Sequence, residues 1–364
     1  MLTLREQEPL APRTTLGLGG PARWFVAAQS EAELVEALGW AVARDLPAIL
    51  LGSGSNLVVG DAGYPGLVIA VETRGLTWQT AGNVTRVTAQ AGEGWDGLVA
   101  ATVAAGLGGL EALSGIPGSV GATPIQNVGA YGQEVATHLT RVRLFDRRAA
   151  QVVEIDRAAC AFAYRDSRFR RDPTAFAVLA VEFELPRCEQ VTVAYPELAR
   201  ALGETAPSPA AVRAAVLALR RSKSMVFDPA DPNHRSVGSF FLNPVVSAEQ
   251  AEAVVARALV IGAASDPIAV PRYPAEDGAV KLSAAWLIER SGFPRGTRQG
   301  SVGISSRHSL ALVHHGGGTT AELLGLARAV QAAVAATFGV TLRPEPIFLG
   351  LSAAEAEGLG ATLV

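Results

Sequence analysis

Cysteine is almost missing from this chain, with Cys160 and Cys188 the only two in 364 residues. Two thiols cannot make a disulfide framework, and there is no clustered Cys and His spacing of the kind that zinc demands. A charge excess of either sign is missing too. Lys and Arg number 31 against 34 Asp and Glu, a net charge of -3, so there is no basic field for a phosphate backbone and nucleic acid is not expected as a partner. No uncharged window of roughly 18 residues is predominantly apolar, the longest being the glycine-rich and polar 112–133, and "MLTLREQEPLAPRTT" has no basic stretch followed by an apolar core. The expectation is a cytoplasmic protein with no membrane association. No G-x-S-x-G elbow occurs, which removes the support for a serine nucleophile; the chain has one G-x-G-x-x-G, at Gly92, Gly94 and Gly97, which is weak evidence by itself, and a Rossmann crevice is not expected. Among five histidines, His314 and His315 are adjacent. Adjacent strand positions point to opposite faces, so the pair is a poor metal site and no metal is expected.

Glycine is plentiful instead, with 38 residues where roughly 7% is ordinary. A hydrophobic share of 49% in a chain of this length supports a sizeable core and two or three domains. The segment "EAELVEALGWAVA" (31–43) has helical spacing, "LPAILLG" (46–52) is a short apolar run, and "GLVIAVE" and "VTRVTAQAG" read as strands. A glycine-crowded stretch from 106 to 134 follows. Strand-like runs resume at "RVRLFD", "QVVEID" and "VLAVEFEL", ending near residue 186. The segment 208–223 reads as a helix capped by Ser208, with Pro209 in its first turn. The polar "VFDPADPNHR" (226–235) has the composition of a linker. Beyond it, "SAEQAEAVVARAL" and "TTAELLGLARAVQAAVAATFG" both open with capping boxes, the second pairing Thr319 with Glu322. With "LALVHH" these helices suggest a compact α+β second domain.

Several short stretches carry chemistry. In "LGSGSNLVV", Gly52, Ser53, Gly54, Ser55 and Asn56 follow an apolar strand directly, exposing a row of backbone N–H groups able to cradle a diphosphate; a tight turn is the plain alternative. The second glycine-rich loop, "SGIPGSVGATPIQNVGAYG", contains Gly115, Gly118, Ser119 and Gly129, with Gln126, Asn127 and Tyr131 ready to hydrogen-bond a heteroaromatic ring. Two such loops suit a cofactor with both a diphosphate and a ring system, and FAD fits best on size. "FAYRDSRF" offers Arg165, whose planar fork binds a carboxylate bidentately, or else forms a surface turn with Asp166. "LRPEPIFLG" holds Glu345 stiffly between two prolines, as a catalytic acid or a solvated turn. In "HRSVGSFFLNP", Ser239 stands behind a glycine and before two phenylalanines, a loop hydroxyl unless chemistry claims it.

Each clue is modest alone, but their order is specific. The succession "TTLGLGGPARWF", "LGSGSNLVV", "AGEGWDGLV", "SGIPGSVGATPIQNVGAYGQE", "YRDS", "RRSK", "GSFFLNP", "AVKLSAAWLIE" and "RPEPIFLG" closely resembles the UDP-N-acetylenolpyruvoylglucosamine reductase family, from about Thr14 to Gly350. "VAYPEL", with Tyr195, resembles the longer type, in which a tyrosine loop folds over the substrate. The resemblance implies an NADPH-dependent flavoenzyme with non-covalent FAD, acting in peptidoglycan synthesis. Ser239 matches the serine that protonates the substrate, Glu345 the carboxylate on the other side of the double bond, and Arg165 the arginine paired with it. Tyr131, Tyr164, Tyr195, Lys223, Asn243, Tyr273 and Lys281 fall where the family contacts the UDP-sugar, with Lys223 and Tyr195 on the diphosphate. His308 stands where some relatives have a glutamine on the uridine, and Ile347 where some carry an arginine.

The implied architecture is α+β, of the vanillyl-alcohol-oxidase type. An FAD domain of two α/β subdomains would span 1–225, completed by 338–364, and a smaller α+β substrate domain would span 226–337. NADPH and the UDP-sugar would share one site in a monomeric enzyme. The alternative is an FAD-dependent oxidase or dehydrogenase of the same flavin fold acting on another small substrate. A non-catalytic sugar-nucleotide sensor would leave Ser239, Arg165 and Glu345 idle.

Overall fold

The computed structural model describes residues 2–203, 206–360 and 362–364, and the chain divides into two compact units. The first comprises the N-terminal stretch to Glu8, Ala22–Gly54 and Pro65–Phe227. Its helix Glu31–Val42 begins where Ser30 Oγ accepts the Glu33 N–H at 3.2 Å, and it buries Leu34, Ala37, Leu38 and Ala41, a single stripe at helical spacing. The strands Ala48–Leu51 and Tyr64–Val71 run parallel, Ala48 opposite Leu67 and Leu51 opposite Ala70. Leu67 to Ala70 are buried without alternation, as in a strand covered on both faces.

A second, antiparallel sheet follows in the order Gln151–Asp156, Leu139–Asp146, Phe176–Pro186, Val84–Gln90, Leu76–Ala81. Helix Trp95–Ala104 packs beside it, with the Trp95 and Phe183 ring centroids 5.9 Å apart and the indole N–H on the Leu113 carbonyl at 3.0 Å. That last bond ties the glycine-rich stretch to the core. Helix Pro209–Ser222 starts on Ser208, whose hydroxyl accepts the Ala211 N–H, as the sequence predicts.

The second unit comprises Pro9–Pro21, Ser55–Tyr64 and Asp228–Val364. The segment 338–364 therefore packs here and does not complete the first unit as expected. Strand Ile347–Leu349 lies parallel to Leu57–Val59, and Phe348 is wholly buried in this unit's core, so its apolar face has its partners here. The central helix Thr320–Phe338 buries Leu323, Leu324, Ala327, Val330 and Val334. By length and composition alone it could cross a membrane, but that apolar stripe is the core of this unit. Its predicted capping box is formed in full. The box expected at Ser247 is not: the serine accepts the Gln250 N–H, while the Gln250 amide donates to the Gly339 carbonyl at 3.1 Å. The linker-like stretch is also an ordered loop, because Asn233 is 3% exposed and bonds Asp231 and Ser306.

His314 joins two segments of this unit. Its Nδ1 faces the Leu16 carbonyl at 3.2 Å and its Nε2 accepts the Gly318 N–H at 3.1 Å, which makes the ring a neutral Nδ1–H tautomer. Burial, with Arg235 adding to it, pushes its pKa below the usual value against the opposing pulls of the Leu16 carbonyl and Glu322. A depressed folded-state pKa means that the stability from this group is fully present above the unfolded value of about 6.5 and is lost as pH falls below it. Stability to urea should therefore decline from about pH 7.5 to 5.5, and His314→Gln should flatten the decline. The same slope in both proteins would show that His314 is not its source.

Candidate active site

In the second unit the chain brings Ser239 and Glu345 onto one ladder. Phe240 N–H donates to the Leu310 carbonyl at 2.7 Å, Glu345 N–H to the Phe240 carbonyl at 2.9 Å, and Leu242 N–H to the Arg343 carbonyl at 2.9 Å. Phe241 and Pro344 form an antiparallel bridge. The reason lies in the two phenylalanines, both fully buried, with Phe240 edge-on to Phe241 at 5.1 Å and to Phe348 at 6.1 Å. They pull the loop into the core from one side and strand 347–349 from the other, which leaves half-buried Ser239 and Glu345 on held backbone. Gly238 sits at φ +75°, where an L side chain would be strained, and makes the turn into Ser239.

The same unit sets Tyr273 directly opposite Lys281 in an antiparallel pair, so both point from one face of the sheet Val245–Val246, Val280–Leu282, Arg272–Pro274. Tyr273 is 52% exposed. Asn243 is partly structural, its side-chain Oδ1 accepting the Ala284 N–H at 3.0 Å where helix Ala284–Arg290 begins. His308 is half-buried in a turn closed by its carbonyl and the Ala311 N–H. Asn56, expected in the diphosphate loop, lies in this unit with Ser55, and its carbonyl accepts the Ile347 N–H.

In the first unit the residues of the second glycine-rich loop form a hairpin, Gly129–Ala130 against Gln133–Glu134. Tyr131 at φ +49° and Gly132 at φ +84° make its two-residue turn, which needs positive φ at both positions. Arg165, itself at φ +52°, reaches the Gly129 carbonyl with Nη2 at 2.7 Å, and the neighbouring Tyr164 is exposed. The Arg and Asp turn proposed from sequence takes a different pairing, since Asp166 binds Arg171 at 2.7 Å. Strain of this kind persists where the surroundings over-determine it.

Two predicted ring-binding side chains are engaged elsewhere. Asn127, 2% exposed, donates to Glu134 Oε2 and the Ala163 carbonyl and accepts the Ala136 N–H, so its side chain orders the hairpin and both of its N–H donors are taken. Gln126 Oε1 accepts from Arg170.

The loop backbone nevertheless suits a large ring-bearing diphosphate. A Cβ on Gly52 would collide with the Ser119 hydroxyl, which brings the first glycine-rich loop, with Ser53 and Gly54, against the second. Gly115 and Gly118 sit at φ +70° and +149°, and a Cβ on Gly115 would meet Leu217 at 2.7 Å. Beside them Arg220 is 8% exposed, with Nη2 on the Met225 carbonyl, but its Nε has no hydrogen-bond partner among the described residues. A buried guanidinium with an orphaned N–H is completed by an acceptor-rich ligand. FAD, with its phosphates and ring carbonyls, fits this set.

Sequence reasoning missed Arg220, Asp96 and Glu197. Asp96 accepts both arms of Arg213 at 2.6 and 2.9 Å and the Gly115 N–H at 2.6 Å. Burial would raise its pKa, but Arg213 and the Gly115 N–H hold it below the usual range. Glu197 lies in "VAYPEL" and binds Lys223, and Tyr195 packs edge-on against Tyr131 at 5.5 Å. The Tyr131 phenol is pushed up, first by burial.

Residues 229–349 match the profile of the C-terminal domain of UDP-N-acetylenolpyruvoylglucosamine reductase, and residues 22–156 match an FAD binding domain. The UDP-N-acetylenolpyruvoylglucosamine reductase of Thermobifida fusca is 50% identical over 356 residues, covering 94% of this chain and 97% of that protein. That of Cupriavidus pinatubonensis is 45% identical, covering 96% and 100%. The crystal structure of the corresponding Thermus caldophilus reductase superposes with a TM-score of 0.65 at 25% identity, over 96% of this chain and all of that one. The α+β architecture is accordingly that of the Thermus caldophilus reductase, with an FAD binding domain and FAD as its cofactor. The chain belongs to the UDP-N-acetylenolpyruvoylglucosamine reductase family of FAD-dependent oxidoreductases.

Proposed function

We propose that this protein reduces the enolpyruvyl ether of UDP-N-acetylglucosamine enolpyruvate to UDP-N-acetylmuramate with NADPH, as a monomer in the cytoplasm. The observation that carries the residue roles is the ladder joining Ser239 to Glu345. Bound FAD supplies the two-electron transfer that takes reducing equivalents from NADPH to C3 of the ether. Arg165 holds the substrate carboxylate and stabilises the charge that develops next to it. Ser239 delivers a proton to C2, a task for which a weak alkyl hydroxyl suffices only against a strongly basic carbanionic centre. Glu345, stiffened by Pro344 and Pro346, faces the other side of the double bond as the second acid. Tyr273, Lys281, Asn243, Tyr164 and His308 contact the UDP-sugar, with Tyr131, Tyr195 and Lys223 closing on the diphosphate. NADPH and the UDP-sugar take turns at one site, since the strand Val84–Gln90 that leads into Gly92, Gly94 and Gly97 is antiparallel to both of its neighbours and so is no part of a parallel βαβ nucleotide crevice.

Two of the side chains that could tether flavin, Cys160 and His138, are poorly placed for it. Cys160 is fully buried, its thiol donates to the Asp156 carbonyl, and burial pushes its pKa up to about 12. His138 Nδ1 lies on the Glu184 carbonyl at 3.1 Å. Purified protein should be yellow, should bleach with NADPH without oxygen, and should recover its colour on addition of the enolpyruvyl substrate. Acid precipitation should release all FAD to the supernatant. Flavin left in the pellet would overturn the non-covalent assignment, and recovery by oxygen but not by the enol ether would favour the oxidase reading.

A further inference from the structure

Lys223 ends helix Pro209–Ser222 as its C-cap residue, and its ammonium lies 2.6 and 2.8 Å from the two carboxylate oxygens of Glu197. Glu197 belongs to helix Pro196–Leu202. That helix is anchored by Leu198, which is fully buried with Val212 and Val216 of the lysine's own helix. The Tyr195 ring just before it rests on Tyr131. Packing therefore delivers this carboxylate to this lysine. The lysine and glutamate side chains are 33% and 34% exposed, so an incoming anion can reach the pair.

The chemistry of the pair is that of a stand-in. Two carboxylate oxygens on one ammonium offer the lysine the charge and acceptors that two phosphate oxygens would offer. Lys223 cannot keep both sets at full strength, because a diphosphate bound there with Glu197 in place would set like charges side by side. We infer that Glu197 is an internal competitor for the nucleoside diphosphate, holding Lys223 until the diphosphate displaces it and so setting the affinity for the nucleotide. The inference rests on the assignment of Lys223 to the diphosphate. The apparent affinity is lowered by the fraction of molecules in which the pair is closed, and a partly exposed pair of this kind is closed in most molecules by a modest margin.

Glu197→Gln keeps the shape and removes the charge. In the FAD-loaded protein it should tighten binding of UDP by about 3- to 10-fold while leaving uridine, which has no phosphate, unchanged. Lys223→Ala should weaken UDP by about 10-fold or more, and adding Glu197→Gln to it should give no tightening. In turnover Glu197→Gln should lower KM for the UDP-sugar with a smaller change in kcat. Unchanged or weaker UDP binding in Glu197→Gln, with Lys223→Ala still weak, would overturn the competitor role and leave the lysine assignment standing. Equal tightening toward uridine and UDP, or tightening that survives without Lys223, would also overturn it. Unchanged UDP binding in Lys223→Ala would instead remove the diphosphate assignment itself.

Discussion

Ser239→Ala should leave flavin reduction by NADPH nearly intact and slow reoxidation by the enolpyruvyl substrate by about 10²- to 10⁴-fold, the usual worth of a general acid. Only the second half-reaction needs a proton at C2, so the two halves separate the role of the hydroxyl from any effect on folding. The surrounding geometry makes the variant a clean one. The loop is held by Phe240 N–H on the Leu310 carbonyl and by Glu345 N–H on the Phe240 carbonyl, neither of which involves the serine side chain. Ser239→Cys should recover part of the loss, because a thiol is also a proton donor of similar size. If Ser239 served only as a local cap, alanine would cost about 1 kcal/mol of stability and affect both halves alike. Stopped-flow measurement of each half in wild type and variant decides between these, and equal slowing would remove Ser239 from the chemistry.

Phe240→Ala should destabilise the protein by about 3–5 kcal/mol, among the largest effects available to one substitution. The ring is fully buried and touches both Phe241 and Phe348, so its removal opens a void where two strands converge. The same ring holds the backbone that presents Ser239 and pairs with Glu345. Phe240→Leu retains most of the volume and should cost about 1–1.5 kcal/mol, with reoxidation slowed more than flavin reduction because the ladder loosens. Urea unfolding of both variants gives the stabilities and the half-reactions give the positioning effect. A cost below about 1 kcal/mol for alanine would mean that the ring does not anchor this loop.

The roles of Ser239 and Glu345 could be proposed from sequence because the motifs around them are contiguous and occur in a specific order, and the order of the short motifs pointed to the family. Local signals were equally legible. Helices at 31–42, 209–222 and 320–338 follow from apolar spacing, the last two also from Ser208 and Thr319 as caps. What no short window shows are the pairings between distant side chains. Residues 338–364 joined the second unit because Phe348 and the Leu57–Val59 strand complete each other there. Asn127 went to the scaffold because Glu134 and Ala163 take its donors. Asp96 and Arg213 meet across 117 residues, and Glu197 and Lys223 across 26. A short window of sequence determines periodicity, capping and motif order, since those energies act between near neighbours in the chain. Which carboxylate faces which cation, and which buried amide keeps a free arm, is decided only when the packing of the cores brings remote segments together and every buried polar group must find a partner.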